Sequence, residues 1–153
     1  MIYDRKIEDV EIAKQLIKEK VQKFYELSES EIETLEKGTI TIKTLNRIER
    51  KQLELRELLN KIGYWNTNII NKEWENSEIF DITSFKRIID NTNILRNAFF
   101  TFLDSPLTPM PKYYFSNIND IEKILYDLEM MLDDVKSKYR ECGTVECGED
   151  NKK

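Results

Sequence analysis

The side chains that could do chemistry in this chain are carboxylates and two cysteines, because the sequence contains no histidine. It therefore lacks the commonest general base and the commonest metal ligand. Acidic residues gather on two helical segments: Glu31, Glu33, Glu36, Glu129, Asp133 and Asp134. Adjacent residues on a helix do not face each other, and a hydrolytic pair needs a cleft that shifts its pKa values. The pattern favours solvated helix faces, and we expect no enzymatic activity.

The two cysteines, Cys142 and Cys147, lie close together near the end of the chain. A structural zinc site needs four ligands, so these two could complete one only with a second chain. A disulfide between them would need an oxidising compartment. Free thiols in a short tail are the simplest interpretation, and we expect neither a metal nor another cofactor.

Charge and hydropathy narrow the range of partners. Acidic residues (29) outnumber basic ones (24), and the two signs are mixed along the chain. Nucleic-acid binding draws its affinity from a basic face, which this pattern does not supply. No apolar run is long enough to cross a bilayer, and the first residues are charged rather than signal-like. We therefore expect no nucleic-acid partner, no membrane insertion and synthesis in a bacterial cytoplasm.

The scarcity of glycine (4) and proline (3) favours long helices over many short strands. We predict an all-α protein, a bundle of about four helices with an aromatic-rich connector and a short non-helical C-terminal tail. Residues 1–140 would form one domain and residues 141–153 the tail. The predicted helical segments are 6–27, 30–37, 42–62, 82–103 and 116–139.

Local signals place the ends of these segments. Ser30 and Glu33 have the spacing of a capping box, which starts a helix. Gly38 and Gly63 are predicted as left-handed caps that end helices. Asp81 or Thr83 would cap the segment 82–103. The third segment carries a heptad-like apolar seam with three- and four-residue steps: Leu45, Ile48, Gln52, Leu55, Leu59 and Ile62.

A weak repeat relates residues 45–56 to residues 85–96 at an offset of forty. It indicates either a duplicated pair of helical hairpins or the coincidence of two similar helix patterns. Arg47 and Arg87 occupy matching places beside the apolar seams. Each could form an interhelical ion pair, for instance with Glu49 or Asp90, or could lay its stem on the core with its head in water. Both interpretations make the two arginines structural.

Aromatic side chains concentrate outside the long helices. Packing in the core is the default role for such residues, but Trp and Tyr are also enriched in the hot spots of protein interfaces. The proline-rich segment and the aromatic run after it would suit docking onto a partner. We therefore predict a candidate interface formed by Trp65, Trp74, Tyr113, Tyr114 and Phe115.

Several short motifs follow one another along the chain: Leu35-Glu36-Lys37-Gly38-Thr39-Ile40-Thr41, Leu45-Asn46-Arg47-Ile48-Glu49, Leu58-Leu59-Asn60, Gly63-Tyr64, Trp74, Phe85-Lys86-Arg87-Ile88, Pro106-Leu107-Thr108-Pro109-Met110-Pro111, and Asn119-Asp120-Ile121-Glu122-Lys123-Ile124-Leu125. Their order, completed by a terminal Cys-Gly segment, resembles the small helical structural proteins of tail and baseplate regions. Such proteins occur in phages and in contractile phage-tail-like particles of Gram-positive bacteria. The resemblance spans roughly residues 30 to 148.

The resemblance implies a virion tail component that is present in several copies. It would act as a connector or adaptor between tail and baseplate proteins, with a place near fibres or receptor-binding parts left open. One alternative is a cytoplasmic assembly chaperone for tail fibres that is absent from the mature particle. Another, drawn from the residues alone, is a small regulatory or hydrolytic protein that uses Glu129 and Asp133.

Overall fold

The computed structural model describes residues 2–20, 26–65, 67–76, 78–109 and 115–143. Within these ranges it contains no strand, so the prediction of an all-α protein is confirmed. The helices are α1 (Ile7–Lys20), α2 (Glu29–Gly38), α3 (Ile42–Lys61), α4 (Ile82–Ala98) and α5 (Phe115–Gly143). The side chains of residue 115 and of residues 139–143 lie outside the description.

The first two helices form an antiparallel hairpin. A capping box starts α2, but it consists of Ser28 and Glu31 rather than the predicted Ser30 and Glu33. The Glu31 amide donates to Ser28 Oγ at 3.4 Å, and the Ser28 amide donates to Glu31 Oε2 at 2.9 Å. The Ser-x-x-Glu spacing occurs twice, and the earlier copy also lets Glu31 pair with Lys20 of α1. The predicted helix 6–27 is too long at both ends, because α1 begins at Ile7 and Leu27 lies outside the helices, while residues 21–25 lie outside the description.

Gly38 lies at a close contact between the two helices of this hairpin. It was predicted as a left-handed cap, and this is wrong, since Gly63 alone has a positive φ among the residues described. A methyl group at Gly38 would overlap the Asp9 carbonyl oxygen and the Ala13 Cβ. The glycine is therefore needed for close contact between helices. Thr39 ends α2 instead, with its amide (2.9 Å) and hydroxyl (2.6 Å) both donating to the Leu35 carbonyl.

Helices α3 and α4 run parallel. Glu49 pairs with Arg87, and three residues later Gln52 Nε2 donates to Thr92 Oγ1 at 2.8 Å. The residue numbers of facing positions therefore increase in the same direction along α3 and α4. This geometry excludes the pair of helical hairpins that the repeat suggested, since an extended return follows α3 instead of an antiparallel helix.

Helix α5 is also parallel to α3. Arg47 Nε donates to Glu122 Oε1 at 2.9 Å, and Lys51 Nζ donates to Glu129 Oε1 at 2.9 Å. The three long helices thus point the same way, so the chain travels back twice between them. It does so through residues 62–81 and through the second return after Ala98, of which residues 99–109 are described. A helix of 20 residues is about 30 Å long, so a return of about nine extended residues would be sufficient. Both return segments are longer than this.

The segment 62–81, which we call the connector, makes the first return between α3 and α4. Thr67 donates to Asn60 at 3.0 Å, Asn71 donates to the Glu49 carbonyl at 2.7 Å, and the Trp74 amide donates to Asn46 at 2.7 Å. The residue numbers of the partners on α3 fall as those of the connector rise, so the connector runs back along α3. The predicted aromatic connector is therefore docked on α3 between Thr67 and Trp74.

The core lies among α3, α4, α5 and the connector. The α3 seam is buried at Leu45, Ile48, Gln52, Leu55 and Leu59, as predicted. Helix α5 contributes the largest buried set: Ile118, Ile121, Ile124, Leu125, Leu128 and Leu132. Burial of this apolar surface is the main force that holds the three helices together.

The C-terminal ends of α4 and α5 differ from the prediction by several residues. Helix α4 ends at Ala98 rather than 103, because Phe99 turns into an extended conformation and its ring packs edge-on against Tyr64. The three- and four-residue spacing of Phe85, Ile88, Leu95, Phe99 and Phe102 predicts one buried stripe on this helix. Because the helix ends early, Phe102 is 41% exposed. Helix α5 runs to Gly143, so the predicted non-helical tail is wrong for residues 141–143. No proline or glycine interrupts the helix before Gly143, and residues 144–153, with Cys147, lie outside the description.

Candidate protein-interaction surface

Four exposed apolar side chains lie at or beside the end of the bundle where α3 and α4 finish. We call this set, Tyr64, Trp65, Phe100 and Leu107, the end surface. Trp65 is 74% exposed, Phe100 72% and Leu107 77%. Side chains of this size rarely remain in water when they could be buried, so the end surface is the strongest candidate for a contact with another protein.

A helix-ending turn places Tyr64 and Trp65. The Gly63 amide donates to the Asn60 carbonyl at 3.2 Å, and the Tyr64 amide donates to the Leu59 carbonyl at 3.0 Å. With Gly63 at φ 98°, these bonds form the motif that commonly closes a helix. Gly63 is therefore the left-handed cap that the sequence predicted. The turn directs the two aromatic residues beyond the last turn of α3.

The other half of the end surface comes from the residues after α4. Phe99 packs against Tyr64 with ring centroids 5.2 Å apart, and Phe100 follows with its ring 5.7 Å from that of Phe99. Thr108 donates to Asn93 Oδ1 at 3.1 Å, which brings the second return segment back beside α4. Leu107 is thereby held next to the same part of α4.

Between the turn that ends α3 and the last turns of α4 is an open depression of about 670 Å³. Its lining combines apolar groups with two side-chain amides: Gly63, Tyr64, Trp65, Asn93, Ile94, Asn97 and Ala98. An apolar partner side chain would fit this lining, and the amides offer donors and acceptors for a partner backbone.

The end surface is also free of charge. Residues 62–71 and 97–103 contain no Asp, Glu, Lys or Arg, although 35% of the chain is charged. Depletion of charge with enrichment of aromatic residues is typical of the centre of a protein interface.

The five predicted interface residues do not lie on one surface of the described structure. Trp65 lies on the end surface, whereas Trp74 is buried at 3% exposure, so its assignment to an interface is wrong. Its indole Nε1 donates to Glu49 at 3.2 Å, and its ring packs edge-on against Phe80 at 5.5 Å. Tyr113, Tyr114 and the side chain of Phe115 lie outside the described residues.

Phe100 was missed because the helix predicted over residues 82–103 contained it. Leu107 was missed because the docking role predicted for the proline-rich segment was assigned only to the aromatic residues after it. The run of seven uncharged residues at 97–103 was the signal that could have identified Phe100. The helix periodicity hid it, because Phe99 and Phe102 fitted an apolar stripe.

Glu49 organises a separate, buried polar cluster where the connector crosses α3 and α4. Its carboxylate accepts from Arg87 Nη1 at 2.9 Å, from the Lys72 amide at 3.1 Å and from Trp74. Arg87 also donates to the Ile70 carbonyl at 2.6 Å. The structure therefore places Arg87 in the interhelical ion pair with Glu49, while Arg47 pairs with Glu122 instead.

Two of the acidic residues considered for a hydrolytic pair, Glu129 and Asp134, are held in separate ion pairs. Glu129 pairs with Lys51 at 2.9 Å, and Asp134 pairs with Lys138 at 2.6 Å. No cluster of three or more His, Cys, Asp or Glu suited to a metal ion occurs in the described part of the chain. In the same residues, no helix has both the length and the apolar character to cross a membrane.

Comparison of the chain with protein-family models, with curated proteins and with solved structures finds no match in any of the three. A functional assignment therefore depends on the residues and geometry described above.

Proposed function

We propose that this chain is a structural component of the tail or baseplate of a phage or phage-tail-like particle. It acts there in several copies as a connector or adaptor between tail proteins. The order of the short motifs between Leu35 and Leu125 supports the particle type. The exposed, uncharged end surface supports the role in assembly, and it is the observation on which the proposal mainly depends.

The geometry of the end surface suits a permanent contact. Trp65 projects between two fixed points, since Tyr64 packs on Phe99 and Thr67 is buried and hydrogen-bonded to Asn60. A rigid aromatic anchor loses little conformational freedom on binding, which favours a stable interface. The other tail protein would insert an apolar side chain into the depression beside Trp65.

A protein inventory of purified particles tests the proposal. The particles would come from cells that express the surrounding gene cluster, and this chain would be quantified against the tube protein. We expect it at a fixed small ratio, which would also indicate its copy number. A chain that is abundant in the lysate but missing from particles would instead be an assembly chaperone for tail fibres, and the structural assignment would be wrong.

A pair of variants tests the end surface itself. Trp65→Ser combined with Phe100→Ser should leave the helical circular dichroism unchanged and lower incorporation into particles by at least tenfold. Ile79→Ser is the matched control, because Ile79 is 87% exposed but precedes α4 at the opposite end of the bundle. Normal incorporation of the double variant would exclude the end surface as the contact.

A further inference from the structure

Residues 2–6, which we call the strap, lie across α5 before the chain enters α1. Asn119 holds the strap backbone at both polar groups of one residue: its Nδ2 donates to the Arg5 carbonyl at 2.7 Å, and its Oδ1 accepts from the Arg5 amide at 3.3 Å. A side-chain amide that pairs with both backbone groups recognises an extended segment, because a helical residue would have them occupied.

The Arg5 side chain is buried against α5. Its Nη1 donates to Glu122, and the two side chains are only 2% and 0% exposed. The same nitrogen donates to the carbonyl of Ile2. An arginine this deep in the protein is held by its carboxylate partner, so the contact selects an arginine at this position of the strap.

An aromatic contact adds a third point. The rings of Tyr3 and Tyr126 lie 4.9 Å apart, and the Lys123 ammonium is 5.7 Å from the Tyr3 ring. The α5 residues that face the strap follow one another at helical spacing: Asn119, Glu122, Lys123 and Tyr126. They form one continuous stripe, the strap site, that is complementary to an extended Tyr-x-Arg sequence.

The strap can leave this site without leaving Glu122 unpaired. Glu122 also accepts from Arg47 Nε of α3 at 2.9 Å, within the bundle itself. The main cost of breaking a buried ion pair is the uncompensated charge that remains. Here the carboxylate keeps a cation when Arg5 departs, and Arg5 itself moves into water.

The part of the chain that would move with the strap is a unit of its own. Asp4 pairs with Lys37 at 3.4 Å, and Lys20 pairs with Glu31, so the strap, α1 and α2 are joined to one another. Three non-helical residues, 39–41, separate this hairpin from α3. They supply the hinge that such a displacement requires.

We propose that the strap site also receives residues 2–6 of a second copy of this chain, so that neighbouring copies are joined by exchange of their straps. The contacts would be the same within one chain and between two, and the local concentration of copies would decide which forms. The exchange uses α5 and not the end surface, so it can fail while the tail assignment stands.

Cross-linking between two tagged versions of the full chain tests the exchange. Both would carry Cys142→Ser and Cys147→Ser. One would add Tyr3→Cys, and the other Tyr126→Cys, so that the contacts of Arg5 with Asn119 and Glu122 hold the strap without the aromatic pair. After mixing at high concentration and treatment with a short bismaleimide, we expect a dimer that carries both tags. The yield of this dimer should rise with protein concentration. It should fall at least fivefold when Arg5→Ala is added to the chain with Tyr3→Cys, or when Asn119→Ala is added to the chain with Tyr126→Cys.

Two controls decide the outcome. A single chain with both Tyr3→Cys and Tyr126→Cys should cross-link internally at low concentration, which reports the contact within one copy. Pairing Tyr126→Cys with Ile79→Cys measures random encounter. The proposal is overturned if mixed chains give no more dimer than this random pair, or if cross-linking occurs only within the double variant, or if neither cross-link forms.

Discussion

Among the side chains that the structure describes, three carboxylates lie almost completely inside the bundle: Glu49, Glu122 and Asp127. Each is paired with a cation, and each also holds one non-helical segment against the helices. Glu49 pairs with Arg87 and holds the connector at Trp74. Glu122 pairs with Arg47 and holds the strap at Arg5. Asp127 pairs with Lys123 and holds the second return at Ser105. At the residue scale, buried charge therefore serves to fasten chain that has no helical hydrogen bonds of its own.

Glu49→Gln tests this role of the buried acids. The amide would leave Arg87 without its counter-ion in a site where Glu49 is 3% exposed, so we expect a loss of about 3 kcal/mol in the free energy of unfolding. Urea denaturation measures it. Glu54→Gln is the control, since the Glu54 side chain is 49% exposed and should change stability by less than about 1 kcal/mol. Equal effects would mean that the cluster does not hold the connector.

The lowered pKa of Glu31 predicts how the stability of the hairpin changes at low pH. Its hydrogen bond with Lys20, followed by those with Ser28, lowers the pKa of Glu31 from 4.5 to about 2. Because the folded value lies below the ordinary one, the contribution to stability is complete above pH 4.5 and is lost as the pH falls toward 2. The difference in unfolding free energy between the native chain and Glu31→Gln should therefore shrink over this window. A constant difference from pH 6 to pH 2 would contradict the capping role.

At the element scale, helix ends rather than helix interiors decide the architecture. Gly63 closes α3 with a left-handed residue and sends the chain back along the bundle. Gly38 has an ordinary φ and serves a contact between helices. The sequence presents both as a glycine after a helical run, so only the three-dimensional arrangement tells the two roles apart.

Two glycine variants separate these roles. Gly38→Ala places a methyl group against α1 and should cost about 1–3 kcal/mol by overpacking, with faster hydrogen exchange confined to α1 and α2. Gly63→Ala meets no neighbour but forces a left-handed alanine, at about 1–2 kcal/mol, and should lower protection throughout α3, α4 and α5. Hydrogen exchange followed by mass spectrometry resolves the elements. The same pattern of exchange for both variants would argue against the distinction.

At the scale of the whole molecule, the chain consists of a helical hairpin attached to a bundle of three parallel helices. The bundle contains the large buried core. The hairpin buries only Ala13 completely on α1 and no residue completely on α2. Local stability follows buried apolar contacts, so the two parts should differ in how readily they open.

We expect the amides of α1 and α2 to exchange through local opening at a lower free energy than those of α3, α4 and α5. The measurement is native-state hydrogen exchange at increasing, sub-denaturing urea concentrations. In the bundle, the free energy of exchange should depend on urea as strongly as global unfolding does. In the hairpin, the free energy of exchange should be lower and should depend less on urea. If both parts opened only in global unfolding, the strap and hairpin could not move as the exchange between copies requires.

The sequence alone determined the features that depend on neighbours along the chain. The three- and four-residue spacing of Leu45, Ile48 and Leu55 identified the buried face of α3, because a helix repeats every 3.6 residues whatever surrounds it. Asp81 and Gly63 marked helix ends for the same reason, since capping is a contact within a few residues.

Only the tertiary structure decided what depends on the path of the chain through space. Trp65 and Trp74 are alike in sequence, but the connector leaves one in water and brings the other onto Glu49. The parallel direction of α3, α4 and α5 was equally hidden, because helix periodicity carries no information on direction. Burial, ion pairing and exposure at these positions arise from contacts between residues far apart in the chain, and local spacing does not encode them.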